Sequence, residues 1–471
     1  MNIVLNSLGN IFKLKLLKSR RAAVTILSFI GLLLALVNSV SLSVVIVAMT
    51  NEVNKTLENG TVVLEREFQW DSKEQGLVLS AYYYGFLWTQ LLGGMLASKF
   101  GGHIVFGIGN GLGAITMLLL PWMANLGIYY FVAGRIVLGS LSGVVIPAVQ
   151  EIFSKWAPIH ERTTMLGIAL SGTQSGSFTA FLLSGYFVQL LGWQSVFYIS
   201  GSFGVLWVCI WMIYIRKDPA SDPRISHEEL TYIRENLEDL SAKKNLKTPW
   251  KAIFSSSAVY AVIVASFCDL WSRLTFLTEI PNFLNSMVHN DLGTRGLFAA
   301  APYLLCLLLT IAVSPFLDYL RRTIFSTKVV RKLGTVFGFL VTATFLVIIP
   351  NLRDEKATVA CLIIPVGVSA VTLVSYMSNP LDIAPNYAAI LTGIAQTISS
   401  IPGIISPFLT GVIVQNGSQN EWEIVFYISA GFCIFGAIFF AIFAKGEVQE
   451  WAKINSRVAT ELQETQISYP N

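Results

Sequence analysis

The chain has 471 residues, of which 54% are hydrophobic and only 13% charged, with a mean hydropathy of +0.62. Soluble domains carry about 25% charged residues, so much of this surface must face lipid, which excludes a secreted enzyme, a DNA-binding protein and a disordered scaffold. A net charge of +4 is too small to point to a nucleic-acid partner, and its placement says more than its size.

A helix crosses the hydrocarbon core with about 20 mostly apolar residues. Twelve segments qualify: 22–49, 75–98, 103–123, 126–150, 163–190, 193–215, 257–284, 295–317, 333–350, 357–379, 387–415 and 422–445. Residues 13–21 are basic, and the apolar run behind them is too long for a signal-peptide core, which predicts a first membrane helix that stays. Residues 216–256 are polar, and the stretch from Ser226 to Glu235 reads as a capped, exposed helix. The expected organisation is an N-terminal segment 1–21, a six-helix bundle 22–215, a linker 216–256, a second six-helix bundle 257–445 and a tail 446–471.

Lys and Arg distribute unevenly over the connections. With both termini in the cytosol, 24 fall on the cytosolic side and six on the other, while Arg135 and Arg273 lie within spans. This orientation satisfies the positive-inside rule. It also puts the Asn-x-Ser/Thr sequences at Asn54, Asn59 and Asn416 outside, where glycosylation of Asn54 and Asn59 in the roomy first loop is expected. Cys209, Cys268, Cys306, Cys361 and Cys433 sit in apolar runs without metal spacing and read as small buried hydrophobes.

The halves echo each other. Trp193-Gln-Ser-Val-Phe-Tyr-Ile-Ser opens the sixth span and Trp422-Glu-Ile-Val-Phe-Tyr-Ile-Ser the twelfth. A duplicated six-helix unit is the plan of secondary transporters, with substrate held between the halves.

Intramembrane charge is functional by default. Arg135 lies mid-span with no acid three or four residues away, and its guanidinium fork suits a phosphate or carboxylate. Asp269 and Arg273 are four apart and can meet on one helix face, either as a self-neutralised pair or as a gate or ion site. Glu151 lies near the cytosolic end of the fourth span, where a solvated or gate-pairing role is expected. Ser39, Tyr83, Gln174 and Gln396 are the polar span residues assigned to substrate, the two glutamines because they occupy corresponding spans. Of Tyr82, Tyr83 and Tyr84, one or two can face a cavity. No catalytic constellation, metal-ligand set or nucleotide phosphate loop is present in the sequence, so neither an enzyme nor an ATP-driven pump is expected.

The sequence resembles the major facilitator superfamily. Gly94-Met-Leu-Ala-Ser-Lys-Phe-Gly is similar to the superfamily signature after the second span, with Ser98 where an aspartate is usual. The equivalent loop after the eighth span keeps Asp318 with Arg321 and Arg322. Lys155-Trp-Ala-Pro-Ile-His-Glu-Arg, Gly192-Trp-Gln-Ser-Val-Phe-Tyr-Ile, Asn379-Pro-Leu-Asp-Ile-Ala-Pro-Asn-Tyr and Val448-Gln-Glu-Trp-Ala-Lys resemble the anion transporters that include sodium-phosphate cotransporters, sialin and the vesicular glutamate transporters. The last is most similar to the sodium-phosphate branch.

The resemblance implies an all-α membrane protein of the major facilitator fold: 12 transmembrane helices in two pseudo-symmetric bundles. Alternating access, a small anionic substrate and sodium or a proton as coupling ion are also implied. Arg135 matches the family's fourth-span arginine. The charged positions of the glutamate and sialic acid branches fall here at Ser39, Leu79, Leu138, Ser142 and Asp269, which argues against those two cargoes. The expected function is sodium-coupled transport of inorganic phosphate or small organic anions, by a monomer of the plasma membrane, with Asp318 in the gating set. The alternative is a voltage- or proton-driven organic anion transporter of a lysosomal or vesicular membrane. A nontransporting receptor or a channel is more distant; binding without accumulation would mark the first, and flux without saturation the second.

Overall fold

The computed structural model describes residues 19–50, 52–56, 62–70, 72–237, 248–287, 292–352, 354–414 and 418–453. The first half contains α1 (Arg20–Thr50), α2 (Ser72–Phe100), α3 (Gly102–Leu126), α4 (Ile128–Gly143), α5 (Val145–Trp156), α6 (Arg162–Leu191) and α7 (Trp193–Tyr214). Two short helices follow, α8 (His227–Glu235) and α9 (Trp250–Phe254). The second half contains α10 (Ser257–Met287), α11 (Leu292–Thr323), α12 (Thr327–Ile348), α13 (Glu355–Ile383), α14 (Ala388–Ser399), α15 (Ile401–Ile413) and α16 (Gln419–Phe443).

Each expected span corresponds to a helix or, for the fourth and eleventh, to two helices in line. The fourth divides at Val144 and the eleventh at Ser400. Pro402 enters the first turn of α15, where a ring without an N–H ends the preceding hydrogen-bond ladder. Among the described residues, nine helices are long and apolar enough to cross a membrane on length and composition alone. The other three spans are α2, α6 and the α14–α15 pair, and all three contribute polar side chains to the seam between the halves.

The packing repeats. The contacts α2–α4 and α3–α7 in the first half have counterparts α11–α13 and α12–α16 in the second. Across the seam, α6 packs on α11 and α2 on α14, again a related pair. Outward faces carry exposed apolar residues such as Trp88, Ile115, Leu206, Phe337 and Ile438, as a lipid-facing surface requires. The largest buried cluster runs through both halves, from Phe106, Trp156 and Trp211 to Tyr376, Phe426 and Phe440.

Two close approaches set the geometry of the seam. Gly139 lets α4 lie against α2; a Cβ there would stand 1.9 Å from the Tyr82 carbonyl oxygen. Gly94 does the same across the halves, where a Cβ would meet the Ala389 carbonyl at 2.5 Å. The end of α2, which has Ser98 in place of the usual aspartate, therefore comes close to the α14 backbone at Gly94.

The start of α1, the end of α7 and the linker share one face. Arg20 pairs with Asp222 at 2.7 Å, and Arg21 with Glu229 at 3.1 Å and with Glu161. The Arg21 guanidinium also lies 4.7 Å from the Tyr232 ring, and the Tyr232 hydroxyl donates to Glu161. Burial and the Glu161 carboxylate raise the Tyr232 phenol above its ordinary pKa. The Ser226 side chain accepts from Glu229 N at 3.2 Å and caps α8, as its sequence predicts. On the opposite face the first loop forms a β-hairpin, β1 (Glu52–Thr56) paired antiparallel with β2 (Val62–Arg66). Asn54 lies in β1; Asn59 and Asn416 fall outside the described residues.

Candidate functional site

The halves meet tightly at the linker face. Asp318 of α11 accepts from Thr164 N at 2.6 Å and from its hydroxyl at 2.8 Å, so a carboxylate sits at the N-terminal end of α6 where the helix dipole favours it. Arg321 pairs with both Asp318 and Asp382 at 3.3 Å. Asp382 also takes Arg331 at 2.7 Å and, from the other half, Arg162 at 3.8 Å. Arg162 donates to the Leu381 carbonyl at 2.7 Å and Gln150 to the Met377 carbonyl at 2.9 Å, both across the seam. Arg322 donates to the His160 carbonyl. Burial, then the Arg322 and Arg321 charges, lower the His160 imidazole below its ordinary value. Glu151 lies nearby on α5 and pairs with Lys155 at 3.1 Å. Away from this face the seam loosens: α14 packs on α2 and α5, while α15, the other part of the same span, has little contact with α2.

Beyond the closed face lies a cavity of about 200 Å³ lined by both halves. From the first half come Ser39, Tyr82, Tyr83, Ser142, Gln174 and Ser177, and from the second Arg273, Tyr303, Ser369, Met377, Gln396 and Ser400. This volume is below the usual range for drug-sized pockets and suits a small solute. The polar groups converge from α1, α2 and α6 on one side and from α10, α11, α13 and α14 on the other, so a bound solute would touch both.

Four of the five residues assigned to substrate from the sequence line this cavity: Ser39, Tyr83, Gln174 and Gln396. Tyr82 joins them, while Tyr84 is exposed on the outer surface. Arg135 stands one layer back. Its side chain is buried, with Nη1 donating to the Asn38 carbonyl at 3.3 Å and Nη2 to the Ser39 carbonyl at 3.4 Å. Its guanidinium carbon is 5.2 Å from the centre of the Tyr82 ring, within cation–π range, and its Nε has no hydrogen-bond partner among the described residues. Tyr82 and Ser39 thus separate Arg135 from the space they line.

The arginine that lines the cavity is Arg273. Its side chain is 25% exposed, and its closest approach to Asp269 is 3.6 Å, a loose ion pair in which Nη1 makes no hydrogen bond. Asp269 is 3% exposed and accepts from the Tyr376 hydroxyl at 3.0 Å. Tyr303 and Ser369 were not singled out from the sequence, and Ser142 only as a position where related branches carry a charge. A single hydroxyl in an apolar span is ordinary helix packing, so nothing local marks them. Among the described residues no group of His, Cys, Asp and Glu has a metal-binding arrangement.

A cavity at the seam of two repeated six-helix halves, sealed on one face, defines a membrane carrier. A sequence profile of the Major Facilitator Superfamily matches residues 27–407. The chain is 34% identical over 440 residues to vesicular glutamate transporter 2 of Bos taurus, covering 92% of this chain and 75% of that one. It is 33% identical to vesicular glutamate transporter 1 of Xenopus tropicalis, over 92% and 76% of the two chains. In fold it is similar to the proton:xylose symporter XylE, with TM-score 0.67, 13% identity and 92% and 98% coverage. It is likewise similar to the fucose:proton symporter FucP of E. coli, with TM-score 0.62, 13% identity and 90% and 99% coverage. The chain therefore belongs to the major facilitator superfamily and, within it, to the anion transporter family of the vesicular glutamate transporters. It is a multi-pass membrane protein, and its relatives are transporters.

Proposed function

We propose that the protein is a secondary active carrier of a small anion, inorganic phosphate or a small organic anion, working by alternating access as a monomer. One observation carries this reading: the Arg273 side chain, only loosely held by Asp269, lines a cavity of about 200 Å³ between the halves. A cation with unused donors in a site of low dielectric favours an anion strongly. Ser39, Tyr83, Gln174 and Gln396 supply neutral hydrogen bonds around it. Arg135 contributes its charge from behind Tyr82 and reaches the substrate itself if that ring swings aside. The two helical bundles, 22–215 and 257–445, rock about the site while 216–256 joins them.

The excess of Lys and Arg on the linker face supports a cytosolic position for that face and for both termini. The contacts of Asp318 and Arg162, with Glu151 at their edge, then form a cytosolic gate, and the described state faces outward. The β-hairpin with Asn54 lies outside, and Asn54 and Asn59 carry glycans. Residence in the plasma membrane is the primary reading.

Import of one negative charge against 100 mV costs about 2.3 kcal/mol, so accumulation in the cytosol needs a cation. Similarity to the sodium-phosphate branch supports sodium. A second reading, a proton- or voltage-driven organic anion carrier of a vesicular or lysosomal membrane, is supported by the vesicular relatives and by a buried carboxylate beside the cavity cation. The test is counterflow in proteoliposomes with labelled phosphate, glutamate and glucuronate, repeated with sodium, proton and voltage gradients imposed one at a time. The reading expects saturable exchange of at least one of these anions, lowered in Arg135→Ala and lost in Arg273→Gln. Binding without exchange would point to a receptor, and non-saturating flux to a channel.

A further inference from the structure

We propose that Asp269 is the coupling group of this carrier: it takes one proton when Arg273 takes the anion, and the site is built for a singly charged anion. This rests on the reading that the substrate sits at Arg273, and on the proton-driven form of that reading rather than the sodium-driven one. Two features of the geometry carry it.

The first is charge accounting over the transport cycle. With the cavity empty, Asp269 and Arg273 neutralise each other across 3.6 Å, with the Tyr376 hydroxyl on the carboxylate. An anion arriving at Arg273 takes over its positive charge and leaves an ionised Asp269, almost wholly buried, without a counter-ion. A buried charge stripped of its partner is strongly unfavourable. A proton on an Asp269 carboxylate oxygen removes it. The pair is therefore neutral when empty, and neutral again when it holds one proton and one monovalent anion. Either ligand alone leaves a net charge in the apolar interior. Only the two neutral states can pass through an occluded intermediate cheaply, and that is the condition for obligatory symport. Arg135 has the same charge at every stage and does not alter this comparison.

The second feature is a route for the proton. Asp269 does not line the main cavity, but it borders a void of about 10 Å³ that Arg273 and Ser369 also line, and both of these line the main cavity. The void is about large enough for one water molecule, with Asp269, Arg273, Ser369, Ser272 and Thr372 around it. A single water there would connect the carboxylate to the cavity. Among the described residues, the charged or titratable groups facing Asp269 are Arg273 and Cys268 on its own helix, Tyr376 on α13, Cys433 on α16 and Cys306 on α11. No second carboxylate competes for the proton within this set.

The experiment uses the full-length protein in proteoliposomes with whichever of labelled glutamate or glucuronate it exchanges, both being monovalent near neutral pH. Two modes are measured: counterflow without any ion gradient, and net accumulation under an imposed proton gradient with the voltage clamped at zero. Asp269→Asn is expected to keep counterflow within roughly threefold and to lose proton-driven accumulation by at least about tenfold, the concentrating power of one pH unit. Its counterflow should also become flat between pH 5.5 and 8, whereas the parent's should fall as pH rises. Should Asp269→Asn fold poorly, Tyr376→Phe, which removes a hydrogen bond to the ionised carboxylate, is expected to move the midpoint of that pH profile upward while keeping accumulation. Proton-driven accumulation that survives in Asp269→Asn, an unmoved midpoint in Tyr376→Phe, or parent accumulation driven by sodium alone each overturns the proposal. Retained counterflow in Arg273→Gln would instead overturn the anion site on which it rests.

Discussion

At the linker face and at the cavity, Arg and Asp are brought together in opposite ways. At the linker face one carboxylate, Asp382, serves Arg331, Arg321 and Arg162 at 2.7, 3.3 and 3.8 Å, and Asp318 is held by Arg321 and by the end of α6. At the cavity a single arginine leans toward a single aspartate at 3.6 Å, with donors left over. The first cluster crosses the seam and pins one packing of the halves. The second lies within one half, next to open space, and is free to exchange partners. The lesson is that burial of an ion pair says little about its role; the hydrogen bonds still unused say more.

The largest effect should come from the linker face. Removing one partner of a buried ion cluster costs about 3–5 kcal/mol, so Asp382→Ala should lower the thermal unfolding midpoint in detergent steeply. A midpoint close to the parent's would erase the contrast, because the three arginines would then need no acid. Next comes Arg273→Gln, which should cost about 2–4 kcal/mol of anion binding, roughly 30- to 1000-fold in apparent affinity, with a much smaller change in unfolding midpoint than Asp382→Ala. Saturation of counterflow against anion concentration measures it. Arg135→Gln should weaken counterflow by only about tenfold, since its hydrogen bonds go to the Asn38 and Ser39 carbonyls and its charge acts through the Tyr82 ring. An effect equal to that of Arg273→Gln would put both guanidinium groups on the substrate.

The smallest effect is a pH dependence at the linker face. The folded protein holds the His160 imidazole below its ordinary value of 6.5, by burial and by Arg322 and Arg321. The unfolded chain therefore binds the proton more readily, and the stability associated with neutral His160 is present above about pH 6.5 and lost as pH falls through the lowered value. Unfolding midpoints at pH 7.5 and 5.5 should differ slightly less in His160→Asn than in the parent. An unchanged difference would show that the His160 imidazole does not set this pH dependence.

Much of the body plan was legible because the lipid requirement acts on whole 20-residue stretches. The repeated Trp193 and Trp422 openings marked the duplication. The hairpin was not legible: Glu52–Thr56 and Val62–Arg66 are five residues each, too short for alternation to stand out. In the site, Gln174 and Gln396 were readable as costly polar groups at corresponding places. The pairing of Asp269 with Arg273 followed from their spacing on one helix. Which arginine faces the cavity was not readable, because a mid-span position does not fix the direction of a side chain. The partners of Asp382 are distant in sequence, and helix periodicity carries no information about them.

The most direct test of the central claim is a cryo-EM map of the protein in lipid nanodiscs with the anion that counterflow selects. The account predicts density for that anion within hydrogen-bonding distance of the Arg273 guanidinium, touching Gln174 or Tyr83 of one half and Gln396 of the other, with Arg135 still behind Tyr82. Density lodged instead against Arg135 with the Tyr82 ring displaced, and Arg273 drawn tightly onto Asp269, would contradict it.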